Sequence, residues 1–243
     1  IFLLTLNQKA LALFIMMSNF LRGAGIMKSS SMHYIEEIVT RYPVLDKVKG
    51  NIADALNMMI KMYAFPGNGK LLICGNGGSA ADSLHIVGEL MKSFKMRRPL
   101  PEEFRRNLSK YEHGIELSQK LQMPLPALSL VCEAGLNTAF GNDVNPIYEF
   151  AQQVLGYGRK GDILLCISTS GNSENVVCAA EVALAKGLGV IALTGSHGGQ
   201  LKKLADVCIA VPETETFKVQ ELHLPVYHAL CLAVENEMFR VGE

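Results

Sequence analysis

Five short apolar runs, each bounded by turn residues, constrain the fold of this chain more than any other feature of its sequence. They lie at residues 71–74, 126–131, 163–167, 190–194 and 207–211. Helical patterns separate them, most clearly at 147–156 and 173–186. Short apolar strands that alternate with helices form a parallel sheet covered on both faces, and right-handed crossovers make it doubly wound. We therefore predict an α/β fold, a three-layer αβα sandwich with a five-stranded parallel sheet.

The chain divides into three regions by pattern. Residues 33–66 carry apolar side chains at helical spacing, broken at Pro43, and predict one or two N-terminal helices ahead of the sheet. Residues 67–243 form the main domain. Residues 1–32 form an extension whose function the pattern leaves in doubt.

The extension is apolar, but polar residues at 7–9 interrupt it and no basic leader or small-residue cleavage site follows. It matches neither a membrane span nor a signal peptide. We interpret it as translated upstream sequence or a truncated extension, with the functional protein beginning near Met27 or Met32. The alternative is an amphipathic packing helix.

An insert at about 92–125 interrupts the alternation of strands and helices. It is charged and contains three prolines. One interpretation is a solvated helical excursion. The other is a lid or subunit contact that shapes a ligand pocket, because long insertions in compact domains are often functional. In that case one or more of four arginines would lie near ligand: Arg97, Arg98, Arg105 and Arg106.

The charge balance excludes one class of function. Lysine plus arginine and aspartate plus glutamate number 23 each, so the formal net charge is zero. Proteins that bind nucleic acid through the phosphate backbone need a basic excess. We therefore expect no nucleic-acid partner and, from the absence of a span, no membrane partner.

The six cysteines indicate a reducing compartment. They form no CxxC pair, and four of them lie in or beside the apolar runs: Cys74, Cys132, Cys166 and Cys208. Buried reduced thiols behave as small apolar side chains. We expect reduced cysteines and a cytoplasmic location.

The first motif, CGNGGSAADSLH at 74–85, stands between a predicted strand and a predicted helix. Its glycines permit a tight turn, and the free N–H groups at the helix start attract an anion. Asn76 and Ser79 add polar side chains. The motif is neither GxGxxG nor GxxxxGK[ST], so it predicts neither a dinucleotide site nor a nucleotide P-loop.

The second motif, ISTSGNSEN at 167–175, also follows an apolar run and precedes a helix. It offers four hydroxyls, from Ser168, Thr169, Ser170 and Ser173. A helix cap explains one hydroxyl but not four, whereas hydroxyls and backbone amides together bind phosphate well. This motif predicts a phosphate-binding loop.

His85 and Glu89 are four residues apart on the helix that follows the first motif. Both side chains therefore project from nearly one face. An imidazole and a carboxylate at this spacing can share a divalent cation, and either group can move a proton. Such a pair on a helix is more often a surface contact, but its place beside a phosphate loop favours function.

The pair GNGGSAAD and STSGNS resembles the motifs of the sugar isomerase (SIS) domain over about residues 34–241. The resemblance implies that residues 67–243 have the SIS fold. Within that superfamily the chain is most similar to the phosphoheptose isomerases, which convert sedoheptulose 7-phosphate to an aldose heptose 7-phosphate. It therefore implies an enzyme, an aldose–ketose isomerase that supplies heptose precursors of surface glycans.

Two further segments carry this resemblance. In GNDVN, Asn142 and Asp143 match residues that contact the sugar in the family; by itself the segment would be interpreted as an Asx turn. In VQELHLPVYH, Gln220 and His228 match the family's glutamine and distal histidine, with His223 of less certain role between them. The resemblance implies a zinc site formed by His85, Glu89, Gln220 and His228.

The site residues take the following predicted roles. Glu89 is the base that acts at the sugar carbons, and His228 is its acid–base partner or a metal ligand. By resemblance, the enzyme is a homotetramer in which the distal histidine completes a neighbour's pocket. The residues predicted to bind substrate are Asn76, Gly77, Gly78, Ser79, Glu89, Asn142, Asp143, Ser168, Thr169, Ser170, Ser173 and Gln220.

Two departures from the family pattern limit how closely the substrate can be named. The insert at 92–125 is not typical of the compact isomerases. Pro225 lies in the helical segment that carries Gln220 and His228, where a missing N–H and a steric clash predict that the helix begins late or kinks.

Two other functions stay open. One is a non-catalytic SIS protein that binds a replication initiator. Such proteins tend to lose the catalytic glutamate and histidine, whereas this chain has Glu89 and His228. The other is a sugar-phosphate sensor, which we disfavour because we recognise no DNA-binding domain in the sequence.

Overall fold

The computed structural model describes residues 29–64 and 69–240. The prediction made for residues 1–26 lies outside the described part of the chain. Nowhere in that part is a helix both long and apolar enough to span a membrane.

The core of the molecule is a five-stranded, entirely parallel sheet, which confirms the predicted fold class. Its order is β2-β1-β3-β4-β5, so β1 and β3 are neighbours at its centre. The strands are β1 (Leu71–Gly75), β2 (Ala127–Ser129), β3 (Ile163–Ile167), β4 (Gly189–Thr194) and β5 (Val207–Ala210).

Alternate residues of each central strand face opposite layers. On β1, Leu71 and Ile73 pack into the cluster under the N- and C-terminal helices, whereas Leu72 and Cys74 pack into the cluster on the other face. All five residues of β1 and of β3 are buried. A continuous apolar run is what a strand covered on both faces requires, since its side chains alternate between the two layers.

Helices cover both faces of this sheet. They are α1 (Ser29–Arg41), α2 (Lys49–Ala64), α3 (Gly78–Met91), α4 (Glu102–Leu108), α5 (Gly114–Lys120), α6 (Ala134–Asp143), α7 (Glu149–Tyr157), α8 (Glu174–Ala185), α9 (Leu201–Leu204) and α10 (Thr216–Phe239). Short 3₁₀ turns occupy Pro43–Val48 and Pro146–Tyr148. The predicted break at Pro43 is confirmed, because the proline opens the turn that separates α1 from α2.

Two predictions about local structure are wrong. The edge strand β2 is shorter than the apolar run at 126–131, and Cys132 lies beyond it, exposed, rather than buried in a strand. Helix α10 does not begin late: it starts at Thr216 and continues through Pro225. Pro225 is buried, so the tertiary packing of α10 outweighs the lost backbone hydrogen bond.

The insert leaves the main domain and returns to it at a fixed base. Its two ends meet, because Met123 donates its N–H to the Arg98 carbonyl at 2.9 Å and Ser93 donates to the Gln122 side chain at 2.7 Å. The helices between them, α4 and α5, have only Gly114 buried. The helices α4 and α5 therefore add almost nothing to the core of this chain, and both interpretations of the insert stay predictions.

Arg98 does not face a ligand, contrary to one of the alternatives left open for the insert. Its guanidinium is fully buried and donates to Glu235 at 2.7 Å and to the carbonyls of Leu90 and Glu89 at 2.6 and 3.3 Å. Glu235, on α10, also accepts the backbone N–H groups of residues 94–96 at 2.8–3.1 Å. This buried pair ties the base of the insert to the end of α3. The other three arginines, Arg97, Arg105 and Arg106, are exposed.

Replacing Glu235 by leucine should lower the free energy of unfolding by about 3–5 kcal/mol, because it leaves a buried guanidinium uncompensated and three N–H groups without an acceptor. Lys49→Met is the control, since Lys49 forms an exposed ion pair with Glu36 at 3.9 Å. This substitution should lower the free energy of unfolding by less than about 1 kcal/mol. Urea unfolding measures both. A loss for Glu235→Leu no larger than that of the control would contradict this assignment.

Candidate active site

The first motif forms the turn from β1 into α3, as predicted. Gly77 stands at the N-cap with φ +55°, a conformation that favours glycine. Asn76 exchanges two side-chain hydrogen bonds of 2.9 Å with Asn175 at the start of α8. Ser79 is buried beneath the turn, and its N–H bonds to the Asn76 carbonyl at 3.0 Å. Asn76 therefore joins the two predicted phosphate loops to each other.

The second motif gathers its serine hydroxyls in one place. The Ser168 hydroxyl lies 2.9 Å from that of Ser173 and 3.5 Å from that of Ser170. Ser173 is the N-cap of α8, yet its side chain makes no capping bond. The hydroxyls are thus directed toward one another at the start of α8. There the N–H groups of Val176 and Val177 already bond to the Ser173 carbonyl, and those of Glu174 and Asn175 are the ones left for an anion. Thr169 lies between them in sequence, and its carbonyl accepts the Gly195 N–H at 2.9 Å.

Gln220 reaches the first loop from α10. A methyl group at position 78 would lie 2.5 Å from the Gln220 Nε2 atom, so the absence of a side chain on Gly78 leaves room for this amide. The predicted glutamine therefore meets the start of α3, although Pro225 follows it on the same helix.

His85, Glu89 and His228 form a cluster about two to three turns further along α3. The His85 Nε2 atom lies 3.3 Å from Glu89 Oε1 and 3.5 Å from His228 Nε2. Lys92 donates to the other Glu89 oxygen at 3.0 Å. The structure thus brings together two residues from α3 and one from α10 of the same chain.

Tyr227 joins this cluster from the side opposite Glu89. Its hydroxyl lies 3.0 Å from His85 Nδ1 and 3.3 Å from Asp82 Oδ1. The second Asp82 oxygen is buried and, in the described part of the chain, has no hydrogen-bond partner. His85 is consequently held on both ring nitrogens.

Burial and neighbouring charges shift the proton affinities around the cluster. Burial lowers the pKa of His228, His85 lowers it further and Glu89 opposes the change. Burial raises the pKa of Asp82, against the hydrogen bond from Tyr227. Burial and then Asp82 raise the pKa of Tyr227. Near neutral pH the cluster therefore contains a neutral His228 and a protonated phenol.

Asn142 and Asp143 end α6 and are exposed, with a bond of 2.9 Å between their side chains. The Asx turn that the segment suggests is formed instead by Asn145, whose Oδ1 accepts the Ile147 N–H at 2.9 Å. Among residues 29–64 and 69–240, no hydrogen bond or ion pair connects Asn142 or Asp143 to the His85 cluster. Their contact with a sugar stays a prediction.

His223 lies inside the core and not in the cluster. It is fully buried, and neither ring nitrogen has a side-chain or backbone partner of normal hydrogen-bond geometry in the described residues. Burial lowers its pKa to about 4. The structure therefore gives this histidine no direct part in the site.

The donor atoms partly fit the zinc ion that the resemblance implies. Ligands held tetrahedrally at about 2.0–2.1 Å from zinc lie about 3.3–3.4 Å from one another, and the two separations at His85 Nε2 are 3.3 and 3.5 Å. Across the described ranges, however, no three His, Cys, Asp or Glu side chains already surround a common point. Zinc binding accordingly stays a proposal.

The comparisons with known proteins agree with this geometry. A model of the SIS domain matches residues 111–195. A phosphoheptose isomerase of Shewanella sp. (strain W3-18-1) is 37% identical over 213 residues, covering 86% of this chain and 95% of the relative. That of Akkermansia muciniphila is 40% identical over 170 residues, covering 70% and 77%.

Two solved structures have the same fold. Phosphoheptose isomerases from Neisseria gonorrhoeae and Francisella tularensis match with TM-scores of 0.64 and 0.66, each 31% identical and each covering 84% of this chain and 95% of theirs. The fold and the paired loops define a SIS-domain enzyme. Within that class, the chain belongs to the phosphoheptose isomerase family.

Sequence reasoning missed Asp82, Lys92 and Tyr227. Each lies one to three residues from a predicted site residue, which is the signal that could have identified them. Asp82 and His85 are three apart on α3, as are Glu89 and Lys92, so each pair shares a helix face. Tyr227 could be identified only once the packing of α10 against α3 was known.

The buried His223 should make the protein less stable in mild acid. Its pKa is about 4 in the folded protein and near 6.5 unfolded, so the unfolded chain binds the extra proton first. The free energy of unfolding should fall by roughly 1.4 kcal/mol per pH unit between about pH 6.5 and 4, about 3 kcal/mol in total. Urea unfolding across this range measures the slope.

His223→Leu should remove most of that slope, whereas replacing the exposed His113 with glutamine should leave it in place. A wild-type stability that does not change between these pH values would contradict the buried neutral state of His223.

Proposed function

We propose that the enzyme converts sedoheptulose 7-phosphate into D-glycero-D-manno-heptose 7-phosphate through an enediol, supplying heptose precursors of surface glycans. One observation carries the proposal: Glu89 Oε1 and His228 Nε2 lie 3.3 and 3.5 Å from His85 Nε2, and His85 is on the helix that follows a loop suited to phosphate. The relatives named above support the substrate class.

The acid–base groups are suitably placed for this isomerisation. A proton must leave C1 of the ketose and return to C2, while the hydroxyl proton passes from O1 to O2. Glu89 is the proposed base for the carbon-bound proton, because Lys92 holds one of its oxygens and the other faces the cluster. His228, whose pKa is lowered, is the proposed partner at the sugar oxygens.

A zinc ion held by His85, Glu89, Gln220 and His228 would supply Lewis-acid stabilisation of the developing enediolate. The protein's own part in that arrangement is to direct two imidazoles and a carboxylate from α3 and α10 to one cluster, whereas the Gln220 amide lies at Gly78, at the start of α3.

The phosphate lies, in this proposal, on the loop between β3 and α8. The hydroxyls of Ser168, Ser170 and Ser173 and the first N–H groups of α8 are the donors. Because Asn76 and Asn175 bridge this loop to the one before α3, the phosphate anchor and the reacting end are held in a fixed relation. Binding energy at the phosphate can then orient the reacting carbons.

Replacing Glu89 or His228 with glutamine should lower kcat by about 10²–10⁴-fold, because each change removes a group that transfers a proton. The assay is turnover of sedoheptulose 7-phosphate, with and without a chelator. Glu37→Gln and His113→Gln make the same chemical changes at exposed positions and should retain activity.

A tetrameric, folded wild type with no turnover on a panel of ketose phosphates would refute the proposal and favour the non-catalytic alternative. Activity that survives the chelator would show instead that zinc is dispensable.

We also propose a cytoplasmic homotetramer. All six cysteines are unpaired thiols, as a reducing compartment requires. Leu84 and Met91 are seven residues apart on α3, each 45% exposed, and flank the half-exposed His85. A second copy that covered this stripe would also enclose the site.

Met91→Glu should therefore shift the assembly toward smaller species in sedimentation velocity, because a carboxylate cannot be buried cheaply in an apolar contact. Val144→Glu places the same charge on an apolar residue that is 64% exposed after α6 and should leave the assembly intact. A wild type that sediments as a monomer would contradict the tetramer.

A further inference from the structure

Tyr227 occupies a position that no part of the proposed reaction uses. It is 2% exposed, so its hydroxyl cannot reach bulk solvent, and its two neighbours are His85 Nδ1 at 3.0 Å and Asp82 Oδ1 at 3.3 Å. Its ring also packs edge-on against both histidines of the cluster, with centroids 5.5 Å from His85 and 5.0 Å from His228. The phenol is therefore fixed in place by packing as well as by hydrogen bonds.

The two hydrogen bonds determine each other's direction. A phenol has one proton, and Tyr227 donates it to Asp82 Oδ1. The phenol oxygen is then left to accept from His85. His85 can donate only if its proton lies on Nδ1, and a neutral imidazole with a proton there has a lone pair on Nε2.

That lone pair faces the cluster. His85 Nε2 is the atom 3.3 Å from the Glu89 carboxylate and 3.5 Å from His228 Nε2. A lone pair and a carboxylate oxygen at this distance repel each other unless a proton or a cation lies between them. The chain of bonds that starts at Asp82 thus leaves an electron-pair donor pointing at a carboxylate, which is an arrangement suited to a bound cation.

We propose that Tyr227 is a positioning residue: with Asp82 it holds His85 in the Nδ1–H tautomer, so that Nε2 is free to bind a divalent cation alongside Glu89 and His228. The cation in this statement rests on the proposed function, whereas the tautomer does not. Outer hydrogen bonds of this kind fix the ring orientation of metal-binding histidines and raise their basicity.

The tautomer is measured directly by solid-state NMR of chelator-treated protein labelled with ¹⁵N-histidine, at a pH of about 8 where histidines are neutral. The protonated and unprotonated ring nitrogens have well-separated shifts, and His85→Gln identifies the His85 signals by their loss. Wild type should show His85 protonated on Nδ1. Tyr227→Phe removes the acceptor and should move part or all of His85 to the Nε2–H form.

Tyr63→Phe is the matched control, because Tyr63 is equally buried and bonds the Pro126 carbonyl at 3.2 Å, away from the cluster. It should leave the His85 tautomer as in wild type. Wild-type His85 protonated on Nε2, or a tautomer that Tyr227→Phe does not change, would overturn the proposal.

The second readout is zinc affinity, measured by competition with a chromophoric chelator. Tyr227→Phe should bind zinc about 10- to 100-fold more weakly than wild type, and Tyr63→Phe should match wild type. Equal affinity for zinc in Tyr227→Phe would overturn the proposal. A wild type that keeps the Nδ1–H tautomer but binds no zinc would refute the metal in the proposed function and leave the positioning by Tyr227 supported.

Discussion

The site depends on how α10 packs along α3. Three contacts follow one another in the same order along both helices. Gln220 lies against Gly78, and Tyr227 and His228 contact His85. Glu235 is joined to the end of α3 through Arg98. The contacting residues are seven or eight apart on α10 and five to seven apart on α3. A change in this register would separate the donors of the cluster and release the base of the insert together.

The sheet supplies the other half of the arrangement. Because β1 and β3 are adjacent and parallel, with Gly75 opposite Ile167, the loops that follow them emerge side by side. The reciprocal bond between Asn76 and Asn175 then joins these loops directly. The proposed phosphate anchor therefore lies at the edge of the sheet and the proposed proton-transfer groups lie on the helix pair, and α3 connects the two. In the proposed reaction this lets binding energy at the phosphate act on the reacting carbons.

Much of the fold could be predicted from the sequence, because a buried parallel strand has a local signature. The runs at 71–74, 163–167 and 190–194 are strands to within one residue. The serine cluster was also predictable, since four hydroxyls near one helix start exceed what capping needs. The length of the edge strand β2 was overestimated, and Cys132 was wrongly predicted to lie in it. Hydrophobicity alone does not show where an edge strand leaves the sheet.

The helix contacts could not be predicted, because they join residues far apart in sequence. Tyr227 and His85 are 142 positions apart, and Arg98 and Glu235 are 137 apart. Pro225 illustrates the same limit. Judged locally, a proline should end or displace the helix, yet buried neighbours along α10 keep it continuous. Arg98 resembled a ligand-binding arginine only while its buried partner was unknown.

The central claim is that the serine loop and the His85 cluster bind the two ends of one substrate. A crystal structure of Glu89→Gln with sedoheptulose 7-phosphate tests it most directly. The account predicts phosphate oxygens within hydrogen-bond distance of the Ser168, Ser170 or Ser173 hydroxyls and the C1–C2 end beside residue 89 and His228. A phosphate bound to the exposed arginines of the insert, or a sugar bound away from α3, would contradict it.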